Sequence, residues 1–262
     1  LNGIMNILGP ALGAFLIASI PMSSVLFIDV STALLAVIPL LFFTIPQPVP
    51  NGTKFAKKFS LWQDLTAGWQ YVTGWPALMG IIFLAMLVNF LINPAFSLLP
   101  LVVTEHFGKG AYELGFINAV FGVGVIVGGL VLSAWGGFKN RILTSLIALT
   151  ISGVAILTIG LAPSQFFLLA VAGMAIFGFL NPMVNGPLFA ILQAKVEPEI
   201  QGRVLTLLTA GAGLASPLGL AIAGPVSDAT NNQFWFVIGG LMTIAAGCVS
   251  FFFKKILAIG QG

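Results

Sequence analysis

Charge is what this sequence has least of. Asp, Glu, Lys and Arg make up 6 per cent of its 262 residues, against roughly 25 per cent in a soluble domain. Such a chain cannot cover a water-facing surface. It has one cysteine, Cys248, and one histidine, His106. A lone cysteine excludes an internal disulfide, and no CxxC-type metal site can form. His106 stands in "TEHFGKG" with no cysteine or second histidine nearby, which predicts a solvated loop residue. Nucleophile–base pairs, phosphate-binding loops and metal clusters are also missing. No catalytic residue, metal or cofactor is therefore expected, nor any nucleic-acid partner, and a membrane enzyme is a distant alternative. The first apolar run has no basic lead-in and no small-residue cleavage site, which argues against a secretory signal.

What is present is apolar. Hydrophobic residues account for 58 per cent and mean hydropathy is +1.09. Runs of about 20 apolar residues, each long enough to cross a hydrocarbon core of roughly 30 Å, recur throughout. Eight spans are expected, near 1–20, 24–45, 77–101, 112–134, 142–161, 165–192, 203–226 and 233–253. They are too long and too uniformly apolar for barrel strands, so the fold class is an all-α membrane protein. Numbering the connections alternately puts Lys54, Lys57, Lys58, Lys139, Arg141, Lys195, Arg203, Lys254 and Lys255 on one side and only Lys109 on the other. The basic side is expected to be cytoplasmic. Residue 1 then starts at the membrane with no polar lead-in, as expected for the C-terminal part of something longer.

The one long connection, about Pro46 to Trp75, leaves its helix through "PQPVP". Phe55, Phe59, Trp62, Leu65, Trp69 and Val72 then recur at spacings of three and four, with Lys54, Lys57 and Lys58 near the start. This predicts an amphipathic helix in the cytoplasmic interface, resting on lipid. A regulatory or partner-binding helix is the alternative.

The last two spans echo the first two. "LGPALGAFLIASIP" and "ASPLGLAIAGPVSD" each carry proline and glycine close together in mid-helix, followed by a short outer loop and an aromatic-rich return. The first pair thus reads as the end of one six-helix half and the remaining six spans as a complete second half. Two such halves joined by a basic cytoplasmic loop are the layout of the major facilitator superfamily. "GPALG", with Gly9, Pro10 and Gly13, resembles the core of that superfamily's helix 5 motif, which recurs in exporters. "VEPEIQGRVLTLLTAGAGLASPLGLAIAGPVSD", with Pro198, Glu199, Gly202, Arg203, Pro217, Gly219, Gly224 and Pro225, resembles the start of helix 11 in the macrolide-efflux-like branch. Gln201 stands where that family often has Arg, and "WGGFKNRI" lacks the Asp of the superfamily's loop motif.

The resemblance implies helices 5 to 12 of a major facilitator bundle. Residues 1–45 would end the N-terminal half, 46–76 would be the linker and 77–262 the complete C-terminal half. It implies an exporter of small apolar molecules using a proton gradient, monomeric when full length; without an ATP-binding motif, uphill transport needs an ion gradient. The alternatives are a lipid or siderophore exporter and a non-transporting scaffold. The eight spans alone are expected not to transport.

The residues also suggest where a substrate would sit. Asn89 and Asn93 precede Pro94, and Asn181-Pro182 is followed by Asn185 and Gly186-Pro187. Each asparagine pair is spaced i, i+4 and shares a helix face. Each Asn-Pro step is expected to break its helix near mid-membrane, and paired broken helices point to a transporter's binding site. With Asn118 these asparagines are candidate cavity residues; the alternative is hydrogen bonding between helices. Phe90, Phe96, Phe121, Phe177 and Phe189 are candidates for an apolar wall. Asp29 and Asp228 lie near span ends and are expected to be interfacial, since a central carboxylate would cost several kcal/mol. Gly124 with Gly128 predicts static close packing. Gly9-Pro10, Pro217 and Gly219 support either packing or gating.

Overall fold

The computed structural model describes residues 61–260 and several helical positions between 24 and 38. The Gly9, Pro10 and Gly13 motif, the first span and most of the long connection lie outside the described residues. Eight helices follow from residue 61: α1 (Leu61–Gly74), α2 (Pro76–Leu101), α3 (Ala111–Trp135), α4 (Arg141–Leu161), α5 (Phe167–Lys195), α6 (Pro198–Ala229), α7 (Phe234–Ser250) and α8 (Lys254–Ile259). Among the described residues there is no strand. Five of them, α2 to α6, are long and apolar enough to cross a membrane. At 17 residues, α7 sits at the short edge of the spanning range of about 17–25. The sequence thus locates these six spans to within a few residues.

Local chemistry sets the boundaries. Proline opens α2 and α6, where a missing N–H costs nothing. The Glu113 carboxylate accepts the Gly110 N–H at 3.0 Å and closes the start of α3. Gly136 (φ 78°) ends α3 in a left-handed cap, its N–H donating to Leu132 O at 2.8 Å. Gly137 follows at φ 81°, so both glycines of "WGGFKNRI" are required by the backbone.

The helices pack through small residues. α4 lies between α5 and α7, α3 crosses α5, and α2 holds α6 and α7. At the α3–α5 crossing a Cβ on Gly124 would sit 2.7 Å from Ala175 O, and one on Gly128 would overlap Phe179 O. These backbones touch, as the close-packing reading expects; dispersion at such contacts holds membrane helices together, since lipid tails supply no hydrophobic drive. One end of the bundle gathers Ala77, Ile142, Ile191, Ile256 and Ile259. The other gathers Val102, Val103, Phe107, Ala162 and Phe167 within the main apolar cluster. Lys139, Arg141, Lys195 and Lys254 adjoin the first end, Lys109 the second, in agreement with the alternation read from the sequence.

Two expectations, the helix breaks and the solvated histidine, are corrected. The helices do not break at Asn93-Pro94 or Asn181-Pro182: α2 runs through Pro94 and Pro100, and α5 through Pro182 and Pro187. In a membrane bundle, neighbouring helices can accommodate the carbonyl that a proline leaves without its donor. The amphipathic helix expected in the interface is described from Leu61 as α1, and part of its face packs on α6. A Cβ on Gly68 would meet Leu207 Cδ1 at 2.9 Å, and Val72 is 1 per cent exposed while Trp69 is 54 per cent exposed. The glycine lets α6 approach closely at this point. His106 is half-buried rather than solvated. It ends a π-helical turn, Val102–His106, and its Nε2–H donates to Ala162 O at 3.0 Å.

Candidate functional site

All five candidate asparagines line one cavity of about 330 Å³. α2 supplies Asn89 and Asn93 from one face, with Phe96 nearly a turn further on. α3 supplies Asn118 and Phe121, and α5 supplies Phe177, Asn181 and Asn185. Three helices distant in sequence thus turn their amides to one space.

Among the described residues the amides do not tie the helices together. Asn93 Nδ2 donates to Asn89 Oδ1 at 3.1 Å, and Asn89 Nδ2 to Ala85 O at 2.8 Å. Asn118 Nδ2 donates to Leu114 O at 2.8 Å and Asn185 Nδ2 to Asn181 O at 3.1 Å. Each of these bonds spans four residues of one helix. Such bonds hold each side chain in a fixed rotamer along its own helix, so the polar lining is set before anything enters.

The apolar wall is built from three of the five phenylalanines named above. Phe96, Phe121 and Phe177 form a triangle with ring centroids 5.0 to 6.0 Å apart, Phe121 and Phe177 stacked at 23°. Phe90 instead sits edge-on to Trp235 at 6.4 Å, and Phe189 is exposed; neither lines the cavity.

Pro94 and Gly219, read separately from the sequence, meet. A Cβ on Gly219 would overlap Phe90 O and lie 2.7 Å from Pro94 Cγ. Phe90 O is the carbonyl that Pro94, lacking an N–H, leaves without its helical donor. The next carbonyl, Leu91 O, accepts a bond from Trp235 Nε1 of α7 at 2.9 Å. The turn that carries Asn89 and Asn93 is therefore clasped by α6 and α7 together. Gly211, Ala215 and Ala223 continue the α6 ladder: Gly211 lies against Met86 of α2, and Ala215 and Ala223 are buried. Pro182 sits beside Gly129, about 4.0 Å from where a Cβ would be. Pro217 is exposed on α6 and lines none of this space. Gly202 and Arg203, expected in a cytoplasmic loop, lie instead within the first turns of α6, which begins at Pro198; the Arg203 Cβ faces Gly68, away from the asparagines.

Sequence reasoning missed Ser152 and Trp235. Ser152 of α4 is 1 per cent exposed, lines the cavity, and its Oγ has no hydrogen-bond partner. A single serine in an apolar span carries no signal of its own, because serine usually bonds back to its own helix. Trp235 sits at the start of a span, where tryptophan is ordinary. Among the described residues no group of His, Cys, Asp and Glu is placed to hold a metal.

Apolar helices packed through glycine around an uncharged, amide-lined cavity define a polytopic membrane protein with a solute-sized internal site. The chain belongs to the major facilitator superfamily, whose family profile, Major Facilitator Superfamily, matches residues 1–220 and 78–258. It is 26 per cent identical over 249 residues to macrolide efflux protein A of Streptococcus pyogenes, covering 95 per cent of this chain and 61 per cent of that protein. To macrolide efflux protein A of Enterococcus faecalis it is 28 per cent identical over 220 residues, 84 per cent of this chain and 68 per cent of that one. To multidrug efflux pump Tap of Mycolicibacterium fortuitum it is 27 per cent identical over 146 residues, 55 per cent of this chain and 35 per cent of that one. The chain thus spans about three fifths of the length of the Streptococcus protein.

Proposed function

We propose that the chain is the larger part of a secondary active exporter of small, largely apolar molecules, of the macrolide or multidrug type. It works by alternating access in the cell membrane and draws on the proton gradient. Residues 77–262 form its C-terminal half, 46–76 the linker and 1–45 the last two helices of the other half. The basic end, with the long connection, faces the cytoplasm. The complete protein acts as a monomer, and Gly9-Pro10-Ala11-Leu12-Gly13 and the Gly219 contact are where the halves flex.

The observation that carries this reading is the convergence of five asparagines from three helices on one cavity. An amide both donates and accepts, and with no charged side chain among the described lining residues the site suits a neutral or weakly polar solute against the phenylalanine wall. A volume of about 330 Å³ lies at the low end for ligand pockets, about 300–1,000 Å³. A macrolide-sized solute would need further wall from the other half. The efflux names of the relatives support the direction of transport.

Asn93→Ala and Asn185→Ala in the whole natural chain should change the range or rate of drug extrusion at unchanged protein level in the membrane. Extrusion is read as drug accumulation in cells with and without an uncoupler. Wild-type transport by both variants would make the asparagines packing residues, and extrusion indifferent to the uncoupler would remove the proton gradient. Ligand-independent stability of the whole protein would favour the scaffold reading, and extrusion of lipid or siderophore rather than drugs the other exporter readings.

A further inference from the structure

Below the asparagine cavity, toward the basic end, lies a second cavity of about 60 Å³. Val88, Asn89, Leu149, Val184 and Asn185 line both, so the two spaces adjoin. At its far end stand Ile81, Ile142 and Ile256, each at most 7 per cent exposed, and Ile256 with Leu84 also lines a larger cavity at the basic end. Ser145 of α4 lines it, 2 per cent exposed, with an Oγ that has no hydrogen-bond partner. Ser145 and Ser152 are seven residues apart, two helical turns on one face. Both hydroxyls point to cavity and neither is satisfied.

Most other helical hydroxyls behave differently, Thr243 of α7 excepted. Thr150 and Thr158 of the same helix bond back to Leu146 O and Val154 O, both at 2.9 Å, and Ser97, Ser133 and Ser250 do likewise in theirs. An unsatisfied buried hydroxyl costs about 1–3 kcal/mol, and one that faces a cavity, as Ser145 and Ser152 do and Thr243 does not, has room for another partner there. A water needs about 10–15 Å³ of such space and two to four polar partners. The smaller cavity has the room, and the Ser145 hydroxyl with the Asn89 and Asn185 amides can supply the partners.

We propose that the smaller cavity is a hydration site, a wet chamber beneath the asparagine cavity that Ser145 anchors and Ser152 connects along α4. It holds a small cluster of water that exchanges through the asparagine cavity. The chamber lets water follow a solute into and out of the site from within this half of the fold. The inference rests on the asparagine cavity being open to solvent or solute during transport.

The test is silver-ion reactivity of single cysteines in the whole natural chain, with Cys248→Ala and any other native cysteine replaced. Silver is close to water in size. Thr243 is the control: its hydroxyl is also buried and unpartnered, yet it lines neither cavity. Ser145→Cys and Ser152→Cys should react about tenfold or more faster than Thr243→Cys, as sites that water reaches. If Ser152→Cys reacts and Ser145→Cys matches the control, the chamber is dry and the inference fails while the asparagine cavity stands. If all three are equally slow, the inference and the solvent-open cavity fail together. Hydroxyl-radical footprinting of the unsubstituted protein provides a second reading free of folding defects. Leu146 and Ile81, 1 and 2 per cent exposed, line only the chamber and should be labelled. Labelling no greater than at Ile156, buried and away from both cavities, would overturn the proposal.

Discussion

Gly219 has no side chain to offer, and that is its contribution. The atoms where a Cβ would go are Phe90 O and the Pro94 ring, neither of which can rotate away as a side-chain tip can. Gly219→Ala should therefore force α2 and α6 apart at a cost of about 1–3 kcal/mol. It would be read as a lower Tm of the purified protein in detergent. Gly224→Ala, on the same helix with nothing within 4 Å of its Cβ position, should leave Tm nearly unchanged. Equal shifts would mean that helix propensity and not contact governs α6. At this scale the asparagines were legible in the sequence, because two pairs at i, i+4 can only share a face. Ser152 was not: what distinguishes it is the missing hydrogen bond, a property of its neighbours.

Between elements, α2 is the hub. It bears the cavity's paired amides, carries two internal prolines, and is clasped by α6 through Gly219 and by α7 through Trp235. Trp235 is 5 per cent exposed, so its bond to Leu91 O is made away from water. Trp235→Phe keeps most of the apolar contact and removes the donor. It should destabilise the protein by about 1–3 kcal/mol, seen as a Tm shift; an unchanged Tm would show that α7 is held by packing alone. Helix extents were legible because about 20 apolar residues have one stable form in a bilayer. Helix continuity through Pro94 and Pro182 was not. A proline's effect depends on whether a neighbouring helix can accept the distorted turn, and that neighbour, Gly219 for Pro94 and Gly129 for Pro182, lies far away along the chain. His106 failed for the same reason: its partner, Ala162 O, is 56 residues distant.

For the molecule as a whole, the charged residues at the two ends set the expected orientation. Lys139 and Lys109 are both exposed and lie at opposite ends of the bundle. In the Cys248→Ala background, Lys109→Cys should react with a membrane-impermeant maleimide in intact cells and Lys139→Cys only after permeabilisation. The reverse pattern would invert the proposed orientation, and reaction of both in intact cells would overturn the span count.

Composition and periodicity by themselves determined that this is a helical membrane protein, where six of its spans run, and which asparagines share a face. Those properties follow from the bilayer as solvent and from the 3.6-residue repeat, and both act locally along the chain. Only the tertiary structure decided that asparagines from three helices meet in one cavity, that Pro94 lies against Gly219, and that two serines on α4 are left without partners. Each of these depends on which helices approach and how closely. In a membrane that is settled by the fit of glycine-lined surfaces, and the hydrophobic pattern does not record it.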